Sequence, residues 1–230
     1  MPQIVISHGD ARAIVDLPIE QSGSVPTELA ATDRPLWIGL SGGIGAGKST
    51  VTATWEKMGA TIADADEIGR ELMQPGTESL AAVVQRFGEQ IAPGGVLDRA
   101  GLAKIVFSNE DALADLNALM HPRIRARALE ILQSAKPGGL GVYDAAILIE
   151  AKMTNMVDAV AIVVADEEQR VERLVSIRGM SEDDARRRIA NQMSDEQRRP
   201  HASIVLENHG TIADLEAVAR EVYTLLIGQR

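Results

Sequence analysis

Residues 42–49, Gly-Gly-Ile-Gly-Ala-Gly-Lys-Ser, constrain the fold more than any other part of this chain. They fit the pattern G-x-x-x-x-G-K-[ST], in which glycines let consecutive backbone N–H groups surround phosphate oxygens. The apolar run 36–41 predicts a buried strand before the loop. Residues 50–57 predict a helix after it, with Val51 and Trp55 on one face. The N-terminus of such a helix attracts anions, so we expect the chain to bind a nucleoside triphosphate.

Two residues of the loop have expected chemical roles. The Lys48 ammonium is expected to reach the β- and γ-phosphates, and the Ser49 hydroxyl is expected to join the shell of a Mg²⁺ ion. Because the loop is expected to face solvent, Lys48→Ala should abolish turnover while leaving the fold intact.

Composition excludes several classes of protein. A chain of 230 residues suits one α/β domain with insertions. The formal charge of −10 argues against general affinity for nucleic acid or for anionic membranes. No apolar run approaches the ~20 residues that span a bilayer. The absence of cysteine excludes disulfides and thiolate chemistry and is typical of a cytoplasmic protein. We infer no obligatory protein partner.

The chain divides by pattern into an N-terminal segment and one main domain. Residues 1–34 contain a single apolar patch and predict a flexible extension, with a docked strand or a partner-binding arm as the alternatives. From residue 35, strands alternate with helices and a phosphate loop follows the first strand, which predicts a three-layer α/β fold with a largely parallel sheet. Residues 67–135 predict a helical insertion, and residues 166–199 a helical lid.

The arginines of the predicted lid favour a kinase. A GTPase needs a base-reading N-K-x-D run, which the sequence lacks, and the D-x-x-G match at residues 66–69 arises easily by chance. Guanidinium groups bind phosphate oxygens bidentately, so one or two lid arginines are expected to contact the nucleotide while the others lie on solvated helix faces. Eight arginines lie in this segment: Arg170, Arg173, Arg178, Arg186, Arg187, Arg188, Arg198 and Arg199.

Two carboxylates follow the second predicted strand. Strand alternation is expected to direct Asp64 and Asp66 to the same side, at the end of the sheet where ligands collect. One of them could accept or align the proton of an acceptor hydroxyl. The alternative is that Asp66 caps the next helix, and one residue can do both.

With these elements in place, the chain resembles the dephospho-coenzyme A kinases from Ile38 to its C-terminus. The resemblance is carried by the phosphate loop and by further landmarks in the same order: Asp64-Ala65-Asp66, Val96-Leu97-Asp98-Arg99, Phe107, Leu116-Asn117, His121-Pro122, Asp144, Glu150, Gln169-Arg170-Val171-Glu172-Arg173 and Gln192. Two positions depart from the family pattern. Ala146-Ile147 replaces Pro-Leu, and Ser203 stands where an aspartate often precedes the last strand.

The resemblance implies a three-layer P-loop kinase fold in which the helical insertion, residues 67–135, binds substrate. It also implies transfer of the γ-phosphate of ATP to the 3′-hydroxyl of dephospho-CoA, with Mg²⁺. It implies Lys48, Asp66 and Arg173 as catalytic residues, with Asp66 as base or hydroxyl aligner. The expected ATP-binding residues are Gly43, Gly45, Ala46, Gly47, Lys48, Ser49, Thr50 and Arg173. The expected substrate-binding residues are Asp66, Arg99, His121, Asp144 and Gln192, and the expected metal ligand is Ser49.

Three questions stay open on the sequence alone. His121 either contacts a ligand or lies in a turn that interrupts a helix at Pro122. Asp144 and Glu150 could together hold Mg²⁺-bound water or the acceptor ribose, unless Glu150 merely begins the next helix. Another nucleoside or nucleoside-monophosphate kinase, or a non-enzymatic nucleotide-binding protein, remains the alternative to the implied activity.

Overall fold

The computed structural model describes residues 3–16 and 34–228. Residues 1–2 and 17–33 of the predicted extension lie outside the described residues. Two compact units make up the chain: Met1–Ala63 with Leu132–Arg230, and Asp64–Ile131.

The described residues of the first unit build a seven-stranded sheet. Its strands are β1 (Ile4–His8), β2 (Ala11–Val15), β3 (Leu36–Gly42), β4 (Thr61–Asp64), β5 (Leu140–Asp144), β6 (Ala159–Val164) and β7 (Ile204–Asn208). Across the sheet they lie in the order β1-β2-β7-β6-β3-β5-β4. Strand β3 pairs in parallel with β5 and β6, and β6 pairs in parallel with β7. The predicted α/β class with a largely parallel sheet is confirmed.

The central strands are apolar because both of their faces are covered. Every residue of β6 is buried, as expected of a parallel strand inside a sheet. The strand begins at Ala159 rather than at the predicted residue 157. The preceding Asp158 accepts a hydrogen bond from the Trp37 N–H (2.8 Å) and pairs with Arg34, which fixes the start of the strand.

Helices account for most of the remaining described residues. They are α1 (Lys48–Lys57), α2 (Ala65–Leu72), α3 (Glu78–Phe87), α4 (Arg99–Phe107), α5 (Glu110–Gln133), α6 (Glu167–Arg178), α7 (Glu182–Ala190), α8 (Asp195–Arg198) and α9 (Ile212–Gly228). Helix α1 packs on α9 through the buried Trp55, whose indole N–H donates to the Ala219 carbonyl (2.8 Å). In the part of the chain described, no helix combines the length and the apolar character needed to cross a membrane.

The N-terminal residues 3–16 contain two strands of the sheet, so the alternative of a docked strand is confirmed for this part and the predicted flexible extension is wrong there. Strand β1 pairs with β2 and β2 pairs with β7, both antiparallel. Ala11, Ala13 and Val15 are buried against the sheet. The alternation of these small residues with polar ones is a strand pattern of period two, and Gly9-Asp10 is a two-residue hairpin connection. Because alanine is only weakly apolar, hydrophobicity alone does not reveal the strand pattern of β2.

The second unit, Asp64–Ile131, is helical and has its own apolar core, built around Leu80, Val83 and Phe87 of α3. Side chains cap its helices: Thr77 accepts from the Leu80 N–H, and Asp98 accepts from the Gly101 N–H. The helical insertion was predicted as residues 67–135, and the compact unit begins and ends a few residues earlier.

The predicted interruption at His121-Pro122 is wrong, because α5 runs through both residues. A proline inside a helix removes one backbone hydrogen bond. The buried Met120 and the partly buried Ile124 pack into the core of this unit on either side of Pro122. Tertiary packing of this kind supplies most of the stability of protein helices, so the helix tolerates the proline.

The helices predicted for the lid form where expected. Helix α6 ends at Gly179, which adopts a left-handed conformation (φ 66°). Ser181 caps α7 by accepting a hydrogen bond from the Asp184 N–H. Buried Ala185 and Ile189 give α7 the apolar side that its sequence indicates. The sequence therefore located both ends of the turn between these helices.

Candidate functional site

The phosphate loop connects β3 to α1, which begins at Lys48 rather than at the expected residue 50. Its N-cap is Gly47, with φ of 107°, and no side chain caps the helix. The first N–H groups of a helix have no partner within it, and they carry its positive end. The loop therefore presents an open helix N-terminus to an anion.

Two glycines of the loop are required by geometry. Gly45 and Gly47 both have positive φ, 79° and 107°. A Cβ on Gly45 would lie 3.0 Å from the Arg170 carbonyl oxygen, and one on Gly47 would lie 2.5 Å from Nδ2 of Asn208. Any side chain here would both strain the backbone and push away the residues that hold the loop.

Lys48 forms an ion pair with Asp144, the last residue of β5. The other oxygen of the Asp144 carboxylate accepts a hydrogen bond from the Thr52 hydroxyl (2.6 Å). Asp144 is only 4% exposed, and the Lys48 side chain is 21% exposed. The lysine that the sequence expected at a solvent-facing loop is thus anchored to a buried charge. Asp144 was predicted to bind substrate. In this structure it orients the loop lysine, and a substrate contact stays a prediction.

Arg173 reaches across from α6 to the phosphate loop. Its Nη1 donates to the Gly45 carbonyl (3.4 Å) and its Nη2 to the Asn208 carbonyl (3.1 Å). Partial burial lowers the pKa of Arg173 from its ordinary value. The Asn208 side chain donates in turn to the Ala46 carbonyl (2.7 Å). The structure thus places the predicted lid arginine beside the loop. Asn208, the last residue of β7, also holds the loop.

Arg170 and Gln192 hold the other side of the loop. The Arg170 Nε donates to the Ile44 carbonyl (2.9 Å), and the Ile44 N–H donates to the Gln192 side-chain oxygen (2.8 Å). Arg170 is 5% exposed, and burial lowers its pKa. Gln192 was predicted to bind substrate. Its observed partner is the phosphate loop, and a substrate contact stays a prediction.

The two carboxylates after β4 do not share one side of a strand. Asp64 ends β4 and is the N-cap of α2, where its carboxylate accepts from the N–H groups of Asp66 (2.8 Å) and Glu67 (2.9 Å). Asp66 already belongs to the helix, and its side chain is exposed. The prediction that both carboxylates point to one side of a strand is therefore wrong, and so is the assignment of the cap to Asp66. Because Asp64 caps the helix, the Asp66 carboxylate is not needed for that purpose.

The remaining substrate residues lie in the second unit. Arg99 is the first residue of α4 and is exposed. His121 is partly buried within α5, and burial lowers its pKa. A histidine whose pKa is lowered in this way is neutral near pH 7, which favours hydrogen bonding over ionic contact with a phosphate.

Glu150 does not join Asp144. It lies in the turns that follow β5, not at the start of a helix, and accepts a hydrogen bond from the fully buried Arg198 (3.2 Å). Arg198 also pairs with Asp195 (3.3 Å). Asp144 and Glu150 therefore each have a cationic partner of their own.

The residues around the loop fit a magnesium ion that binds together with phosphates. Within the described ranges, no group of three His, Asp or Glu residues could hold a metal. Mg²⁺ is commonly bound through one or two protein oxygens together with substrate phosphates. Ser49, exposed in the first turn of α1, offers one such oxygen beside the open helix N-terminus.

Three residues around the loop have contacts that were not predicted from the sequence. Thr52 follows Lys48 by one helical turn, a spacing that puts both on one helix face. Arg170 was recognised only as one of many arginines. Asn208 is a polar residue at the end of an apolar strand, and its contact with Ala46 joins residues 162 positions apart.

Comparisons with known proteins agree with this geometry. A family model described as dephospho-CoA kinase matches residues 36–214. A dephospho-CoA kinase of Thermobifida fusca is 45% identical over 82% of this chain and 94% of its own length. The corresponding protein of Corynebacterium glutamicum is 43% identical over 84% of this chain and 98% of its own. The crystal structure of TT1252 from Thermus thermophilus superposes with a TM-score of 0.72 at 32% identity, over 82% of this chain and 96% of that protein. The chain is a kinase that belongs to the dephospho-CoA kinase family.

Proposed function

We propose that this protein transfers the γ-phosphoryl group of ATP to the 3′-hydroxyl of dephospho-CoA, giving coenzyme A and ADP in the final step of coenzyme A biosynthesis. The observation that carries the proposal is the glycine-rich loop that opens on the uncapped start of α1, in a chain of this family. Phosphoryl transfer passes through a loose transition state, so catalysis depends on positioning and charge.

Charge near the transferring group comes from Lys48 and Arg173. Lys48 is already aligned by Asp144 and Thr52, which limits the entropy lost when it meets a phosphate. Arg173 lies against the Gly45 carbonyl, at the rim of the loop. Both cations then stabilise negative charge that develops on the phosphoryl oxygens.

Asp66 is proposed as the base or aligner of the acceptor hydroxyl, and its exposure supports access to a ligand. Arg99 and His121 are proposed to bind the acceptor, and Asp144 and Gln192 to contribute from the loop side. Mg²⁺, held by Ser49 and the phosphates, would neutralise charge on the β- and γ-oxygens.

ATP, dephospho-CoA and Mg²⁺ complete the proposed set of ligands. The formal charge of −10 supports a protein without general affinity for nucleic acid or anionic membranes. A chain without cysteine also suits the reducing cytoplasm, where we propose that it acts.

The test is a coupled ADP-release assay in which the acceptor is varied. Dephospho-CoA should support turnover that is at least about a hundredfold faster, in kcat/KM, than adenosine, AMP or shikimate, because a site built around a larger acceptor loses transition-state binding with truncated ones. Lys48→Ala serves as the negative control for contaminating kinases. Equal rates with AMP or adenosine would assign the protein to another kinase activity.

A further inference from the structure

The N-terminal hairpin, β1 and β2, lies outside the region that the family model matches, residues 36–214. Strand β2 extends the sheet beside β7, with Val15 opposite Ile204 and Ala11 opposite Asn208. This register places the hairpin turn at the carboxyl end of β7. In parallel sheets that end is where ligands bind.

The turn of the hairpin packs on the segment that connects β7 to α9. A Cβ on Gly9 would lie 2.6 Å from Oδ1 of Asp214, and one on Gly210 would lie 3.2 Å from the Ala11 nitrogen. Asp214 accepts hydrogen bonds from the Thr211 N–H (2.9 Å) and hydroxyl (2.7 Å). The turn therefore supports the carboxylate that organises this connection.

The same connection holds the phosphate loop. Asn208 donates to the Ala46 carbonyl, and Arg173 donates to the carbonyls of Asn208 (3.1 Å) and Gly210 (3.5 Å). Residues 208–211 thus contact the hairpin on one side and the loop on the other. Contacts with this small segment are the physical link between the two.

A buried carboxylate fixes the hairpin to β7. Glu207, next to Asn208, is 3% exposed and pairs with Arg12 of β2 and with Arg199 (2.8 Å). Burial alone would raise the pKa of Glu207, but the hydrogen bonds from Arg12 and Arg199 outweigh it and lower the pKa. At the far end of β2, the Asp16 N–H donates to the Ser203 carbonyl (2.7 Å). Both ends of β7 are thereby held by the hairpin.

We propose that the hairpin positions residues of the nucleotide site. The hairpin turn and Arg12 fix residues 207–211, and this segment keeps the Asn208 side chain and the Arg173 guanidinium against the phosphate loop. The inference rests on nucleotide binding at the loop, and not on the identity of the acceptor. Its consequence is that ATP affinity depends on a segment outside the phosphate loop and outside the region that the family model matches.

The test compares alanine substitutions at two glycines that have similar positive φ angles. Gly9 (φ 53°) contacts Asp214, whereas a Cβ added to Gly138 (φ 69°), in the turn before β5, would meet no atom of the described residues within 4 Å. Alanine at either position incurs a similar cost of left-handed backbone. ATP dissociation constants of Gly9→Ala, Gly138→Ala and the parent protein are measured by calorimetry, together with the KM for dephospho-CoA.

The expected result is an increase of about fivefold in the ATP dissociation constant of Gly9→Ala, within the range for couplings through packed networks. Gly138→Ala should match the parent in ATP affinity and in KM for dephospho-CoA, and in Gly9→Ala the KM for dephospho-CoA should change less than the ATP affinity. Equal ATP affinities for the two alanine variants would overturn the proposal. A protein that binds ATP but does not phosphorylate dephospho-CoA would refute the proposed function and leave this comparison intact.

If Gly9→Ala does not fold, a second pair of variants tests whether the hairpin affects ATP affinity. Arg12→Ala removes a guanidinium that pairs with buried Glu207, and Arg34→Ala removes one that pairs with Asp158 at the opposite end of the parallel strands. Arg12→Ala should weaken ATP binding about threefold, Arg12→Lys should restore it, and Arg34→Ala should leave it unchanged. Unchanged ATP affinity in soluble Arg12→Ala would also overturn the proposal.

Discussion

Replacing Lys48 with alanine should destabilise the protein as well as stop turnover. The change leaves the Asp144 carboxylate, 4% exposed, without its cation. Breaking a buried ion pair from one side costs about 3–5 kcal/mol. Because the Thr52 hydroxyl still donates to Asp144 (2.6 Å), we expect the lower end, about 3 kcal/mol.

The reverse change should cost less. In Asp144→Asn, the Lys48 ammonium loses its partner, but its side chain is already 21% exposed and can extend to water. We expect a loss of about 1.5 kcal/mol, the lower end for a hydrogen bond to a charged group. In the double variant no uncompensated charge is buried, so it should be more stable than Lys48→Ala alone.

Urea unfolding of the four proteins gives the coupling energy of the pair, expected to be about 2 kcal/mol. Lys57→Ala is the matched control, since Lys57 lies exposed on the last turn of the same helix, and should change stability by less than about 0.5 kcal/mol. A Lys48→Ala variant as stable as this control, or no coupling in the cycle, would refute the argument.

Three further outcomes are expected. Asp66→Asn should lower kcat by roughly 10²-fold with little change in ATP affinity, as steady-state kinetics and calorimetry will reveal; loss of ATP binding alone would exclude the carboxylate as base or aligner. Arg173→Lys should lower kcat more than ATP affinity, because lysine cannot span the two carbonyls that the guanidinium joins; equal losses in both would contradict this. Glu207→Gln should lower the free energy of unfolding at pH 7, and this loss should shrink below about pH 4.3. The reason is that the folded pKa of Glu207 lies below its unfolded value, so the stabilisation by the carboxylate is lost as pH falls through the folded pKa. A loss that does not change between pH 3 and pH 7 would contradict the ion-pair account.

Local signals predicted the phosphate loop and the lid helices well. The loop is specified by consecutive glycines and its lysine, and the lid turn by Gly179 and Ser181 at its two ends. Such features depend on backbone conformation and on side chains a few residues apart. A single sequence therefore contains the information needed to locate them.

Contacts between distant segments could not be predicted in the same way. The cation that pairs with Asp144 and the carbonyl that accepts from Asn208 follow from how the strands are ordered in the sheet. Strand β2 was missed for a different reason, because Ala11 and Ala13 are too small to mark a buried strand by hydrophobicity. At Asp64-Ala65-Asp66 the helix begins two residues earlier than the Asp66 cap implied, so Asp64 rather than Asp66 caps it.

Transfer of the γ-phosphate to dephospho-CoA can be followed atom by atom with a labelled phosphate. Purified protein is incubated with Mg²⁺, dephospho-CoA and ATP that carries ¹⁸O in its γ-phosphate. The isotope shift in the ³¹P NMR spectrum then shows which product contains the labelled phosphate. The account predicts that the label appears as a 3′-phosphomonoester of coenzyme A, in amounts equal to the ADP formed, and that Lys48→Ala yields none. Label in inorganic phosphate alone, or at another hydroxyl, would contradict it.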